Sequence, residues 1–106
     1  MRVAGASPDM SAPIRRLVLD VLKPHEPCLV TIADAVADCT GVDGVNAVLV
    51  ETDREVTTIK LTIAGSAIDK EAVETALTDL GGTVHSIDEV VCGEQVVEQS
   101  RTPQDG

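Results

Sequence analysis

The chain of 106 residues has no Phe, Tyr or Trp, and its eight Lys and Arg side chains stand against eighteen Asp and Glu, a formal charge of -10. Without aromatic rings there is no platform for stacked bases, and without a basic excess little can neutralise phosphates or hold an anionic membrane. Nucleic-acid and membrane partners are therefore not expected. No apolar run approaches the roughly 18 residues of a membrane span, and no signal peptide or lipidation motif stands out, so a cytoplasmic protein is expected. The three cysteines, Cys28, Cys39 and Cys92, form no C-x-x-C pair and read as reduced, mostly buried small hydrophobes. Also missing are an EF-hand loop, an H-E-x-x-H helix, Walker or Rossmann glycine patterns and a G-x-S-x-G elbow.

What is present is a single small domain whose core must come from Val, Leu, Ile and Ala. Each such side chain buries less area than a ring would, which makes oligomerisation a natural supplement. The acidic excess is spread along the chain, and Lys is scarcer than Arg, three against five. That distribution suits a halophilic protein that stays soluble in concentrated salt. Most of the carboxylates are expected only to solvate the surface.

The spacing predicts a mobile tail over 1–13, a domain over 14–93 and a C-terminal tail over 94–106. Ile14 to Leu22 is apolar and β-branched, and Pro24 and Pro27 end it, the signature of a strand. Pro27 suits a helix first turn, with Leu29, Ile32, Ala33 and Val36 on one side and Gly41 as its stop. Val45 to Thr52 and Val56 to Ala64 read as a hairpin around Asp53-Arg54-Glu55. In its second strand Ile59, Leu61 and Ile63 alternate with Lys60 and Thr62, the period of a sheet with one face on a core. Asp69 is placed to cap a second helix bearing Val73, Ala76, Leu77 and Leu80, closed by Gly81-Gly82 before a last strand, Thr83 to Val91. Asp43-Gly44 and Gly81-Gly82 read as turns.

This order is the split βαββαβ of ferredoxin-like α+β domains: a four-stranded antiparallel sheet in order 4-1-3-2 with two helices on one face. The opposite face and the edge strands would stay open, inviting self-association. Val96-Val97, apolar in an otherwise polar tail, lacks a partner and is a candidate element to cross to a neighbouring subunit.

The same topology gathers the β1–α1 loop, the hairpin turn and Gly81-Gly82 at one end, with His25, Glu26, Glu51, Asp53, Glu55, Asp79 and His85. Carboxylates with few basic neighbours either remain solvated or bind a cation. Asp20 falls on the open face with Lys60, so a matched pair is one reading and an ion site shared with Asp88 the other. Such an oxygen cluster suits Ca²⁺ or Mg²⁺ better than Zn²⁺. The histidines read as ordinary hydrogen-bonding residues, and a nucleophile built from Cys28 or Cys92 with His85 has no supporting motif.

Four blocks carry a likeness: LDVLKPHEP over 19–27, GVDGVN over 41–46, GGTVHSIDEVVCG over 81–93 and TPQD over 102–105. Together they resemble archaeal domain-of-unknown-function family 211. The resemblance implies a ferredoxin-like fold, homo-oligomers such as hexameric rings or polymers, association with calcium, and no nameable enzymatic activity. The blocks hold or flank Asp20, Glu51, Asp53 and Asp88 as candidate Ca²⁺ ligands.

Two functions are thus expected to compete. One is a non-enzymatic, self-assembling protein whose carboxylates bind divalent cations and promote rings or filaments. The alternative is a fixed oligomer acting as a small-molecule-sensing regulatory domain.

Overall fold

The computed structural model describes residues 12–99. The expected N-terminal tail, apart from Ala12 and Pro13, and the TPQD block lie outside that range. Six elements follow in the anticipated order: β1 (Ile14–Lys23), α1 (Leu29–Ala37), β2 (Val42–Thr52), β3 (Thr57–Gly65), α2 (Lys70–Asp79) and β4 (Thr83–Cys92). The strands form one antiparallel sheet in the order β2-β3-β1-β4.

Alternation decides which face is covered. Along β1 the side chains of Leu17, Leu19, Val21 and Lys23 are buried, and along β3 those of Thr57, Ile59, Leu61 and Ile63. Opposite residues in an antiparallel ladder share a face, so the pairs Leu17–Ile63, Leu19–Leu61 and Val21–Ile59 stack into one apolar layer. Ile32 and Val36 of α1, Val73 and Leu77 of α2, and Ile68 before α2 close it from above. Fully burying a Leu, Ile or Val contributes about 1.5–3 kcal/mol, which is how a core without rings suffices.

Several boundaries differ from the sequence reading. Pro27 lies outside α1, which begins after Cys28 at the N-cap. Gly41 does not stop that helix. A tight turn at Asp38–Cys39, with Cys39 N–H on the Val36 carbonyl at 3.0 Å, ends it earlier. Gly41 instead lets two loops cross: its φ is +84°, and a Cβ there would sit 1.8 Å from the Ala67 carbonyl oxygen. β2 starts at Val42, three residues early, because an irregularity between Val42 and Gly44 carries the chain into the ladder. The cysteines also depart from expectation. Cys28 and Cys92 are exposed and Cys39 is half-buried, since the first stands at the N-cap position of α1, the second ends an edge strand and only the third abuts the core.

Candidate functional site

The face away from the helices carries the chemistry. Arg16, Val18, Asp20 and Leu22 line it from β1, and Thr58, Lys60 and Thr62 from β3, all half-buried. Asp20 is flanked in register by Lys60 on one side and Ser86 on the other. The ion pair that forms is not the adjacent one: Lys60 Nζ lies 3.3 Å from Asp88 Oδ2, reaching across β1. Ser86 Oγ donates to Asp88 Oδ1 at 2.8 Å. The Ser86 hydroxyl and then Lys60 hold the Asp88 carboxyl below its ordinary value. Asp88 is thus engaged with a hydroxyl and an ammonium, and Asp20 keeps the half-buried place between them.

Glu51 and Asp53 sit apart, at the β2–β3 turn. Asp53 Oδ1 accepts from the backbone N–H groups of Glu55 and Val56, both at 3.0 Å, and these two donors, Val56 first, depress its pKa. His25 Nε2 donates to the Asp53 carbonyl at 2.9 Å; a carbonyl can only accept, so this nitrogen carries the proton. Two of the loops expected to meet do so here. Lys23, at the same end, is only 4% exposed, and its ammonium donates to the carbonyls of Pro24 (2.9 Å), His25 (3.3 Å) and Pro27 (2.5 Å).

The four sequence-predicted ligands therefore divide into two pairs, Asp20 with Asp88 on the open face and Glu51 with Asp53 at the turn. Among the described residues, no group of three or more His, Cys, Asp or Glu side chains is gathered as a metal site within one chain. The thiols stand alone as well. Cys28 Sγ lies 3.6 Å from Thr31 Oγ1, and that hydroxyl, with the first backbone N–H groups of α1, lowers its pKa. Cys39 is raised instead, by burial and then by Asp38 and Asp69.

The edges hold what the spacing of carboxylates could not reveal. Val48, Leu49 and Val50 stand exposed in succession on β2, and Ile87 and Val90 on β4. An irregularity between Leu49 and Glu51 breaks the alternation on β2 and turns neighbouring apolar side chains outward together. Arg15 and Arg16, passed over in the sequence, bind the segment after β4. Their only signal was an adjacent basic pair in an acidic chain.

A four-stranded antiparallel sheet with two helices on one face, strand order β2-β3-β1-β4 and an open polar-apolar face defines a ferredoxin-like α+β domain. The family model of DUF211, described as Uncharacterized ArCR, matches residues 15–106, and the chain belongs to that archaeal family. It is 47% identical over 92 residues to a protein of Methanocaldococcus jannaschii described as Uncharacterized protein MJ0319, covering 87% of this chain and 95% of the relative. Among the described residues, no helix is long and apolar enough to cross a membrane.

Proposed function

We propose that this is a non-enzymatic cytoplasmic protein that self-associates, with divalent cations, Ca²⁺ foremost, bridging carboxylates that facing copies bring together. The observation that carries the reading is edge strand β2. Val48, Leu49 and Val50 are exposed in a row, and Val42 to Thr52 contains no Lys, Arg or Pro to discourage pairing with another strand. Glu51 and Asp53 follow directly, so copies meeting along this edge bring carboxylates together that one chain leaves too few to hold an ion. A formal charge of -10 opposes that meeting, and a bound divalent ion offsets it while adding oxygen ligation. Asp20 and Asp88 offer a second pair on the open face.

The regulatory alternative rests on an open cleft of about 250 Å³ among Leu22, Pro24, Val56, Gly81 and Thr83. That lies below the roughly 300–1,000 Å³ of ordinary small-molecule sites, and a larger open-face cleft of about 430 Å³ is lined by Asp88, Glu89 and Glu98, so this reading ranks second. Light scattering in molar KCl, titrated with CaCl₂, then MgCl₂, then chelator, tests the first reading. The expected result is a reversible, calcium-selective rise in particle size that Asp53→Ala and Asp88→Ala blunt. Particles of one size throughout would overturn ion bridging, and a thermal shift with a small ligand but no ion dependence would establish the alternative.

A further inference from the structure

Residues 93–99, after β4, do not leave the domain. Gly93 N–H donates to the Pro13 carbonyl at 2.8 Å, and Arg15 Nη1 donates to the carbonyls of Gly93 (3.3 Å) and Glu94 (2.7 Å). The Arg16 guanidinium takes both oxygens of Glu98, at 3.0 and 2.9 Å, and lies 3.5 Å from Glu89. The chain turns at Gly93, where φ is +112° and an added Cβ would meet nothing nearer than the Gln95 carbonyl at 4.0 Å. A glycine in that conformation, with open space around it, is a pivot. Beyond it residues 94–99 run back over the open face as an arm.

The anchors at the two ends of this arm are good, but what lies between them fits badly. Val97 is 72% exposed and Val96 43%, although Val97 passes beside a groove of mixed polar and apolar lining. Below them a cleft of about 430 Å³ stays open between Val18, Val90, Val91 and Val97, with Asp88 and Glu98 at its rim. Val91, opposite Arg16 in the ladder, is 6% exposed yet does not belong to the core beneath the helices. It marks the groove floor. Bidentate pairing of an arginine fork with a carboxylate is specific in geometry, whichever chain supplies the carboxylate.

We infer that the arm exchanges between copies: residues 94–99 of one subunit dock in the open-face groove of another, with Glu98 of each meeting Arg16 of the other. This rests on the self-association proposed above and names one of its contacts. The occupant is fixed by chemistry already seen, because the groove receives this segment's carboxylate, and its acidic neighbours Asp88 and Glu89 leave Arg16 as the docking point for an acidic strand. An arm folded onto its own domain must double back at Gly93 and leaves its valines facing water. One arriving from a neighbour is free of that constraint and lays Val96 and Val97 against Val18 and Val90, which is 48% exposed, burying apolar surface on both chains.

Charge reversal separates exchange from self-docking. Arg16→Glu and Glu98→Arg are made singly and together in the full chain, and size is read by chromatography with light scattering under the conditions in which the wild type associates. Each single variant should associate at least about tenfold more weakly, since a like-charge contact replaces the bidentate pair. The double variant should recover. The decisive sample is an equimolar mixture of the two single variants. There, complementary charges meet only between chains, so association should return, with both proteins in the particle. If the mixture stays as weak as its components, or the single variants associate like the wild type, exchange is overturned while self-association stands. If the wild type itself stays monomeric at every concentration and ion condition, both proposals fall. Unchanged far-ultraviolet circular dichroism of the single variants guards against unfolding as the cause.

Discussion

At the scale of single residues, the chain places charge where it holds backbone, not substrate. Lys23 points its ammonium at three carbonyls of the β1–α1 loop. Lys23→Met keeps the stem but strands those acceptors, and a loss of about 2–4 kcal/mol is expected in urea unfolding. Gly41→Ala should be at least as damaging, because the new Cβ would lie 1.8 Å from a carbonyl oxygen in a left-handed conformation. Asp53, Asp88 and Glu98 are held below their ordinary values of 3.8, 3.8 and 4.5 by donors present only in the folded chain. The unfolded chain therefore binds protons more readily, and the stability they supply is complete above those ordinary values. It disappears as pH falls through the lower folded values. Urea midpoints should thus decline on acidification below about pH 4, and Asp53→Ala should make that decline shallower.

Among the elements, the two helices differ in how their ends are satisfied. Asp69 accepts from Ala72 N–H and Glu71 adds charge to the first turn of α2, whereas Cys28 gives α1 no side-chain cap and no acidic residue follows. Asp69→Ala should cost about 1 kcal/mol. Cys28→Asp should raise the melting midpoint, by supplying both an acceptor and a negative charge at the N-terminus of α1. Strand β2 carries a different liability. A lysine in the middle of its exposed apolar run, Leu49→Lys, should leave the monomer's melting midpoint within a few degrees while reducing particle size in light scattering.

For the molecule as a whole, much of the architecture was legible in advance. Ile59, Leu61 and Ile63 alternate with Lys60 and Thr62 cleanly enough to assign both faces of β3, and the same alternation places Asp20 of β1 on the open face. Asp69 and Gly81-Gly82 bracket α2 as the sequence suggests. The candidate site was legible only in part. Asp20 and Lys60 do share the open face, but Lys60 pairs with Asp88, because the irregular β1–β4 ladder brings that carboxylate toward it. Spacing along one strand cannot foresee a bulge on its neighbour. The grip of Arg16 on Glu98 joins residues far apart in the chain with no periodicity between them, and so left no trace in the pattern.

The sequence by itself determined the element order, the core-facing residues and the acid-rich surface, since these depend on local spacing and composition. Tertiary structure alone decided which charges meet, that Lys23 is sealed beneath its own loop, that Val48 to Val50 emerge together on an edge, and that residues 94–99 turn back over the sheet. Those outcomes depend on ladder register, bulges and the direction of one glycine, where a shift of a single residue moves a side chain to the opposite face.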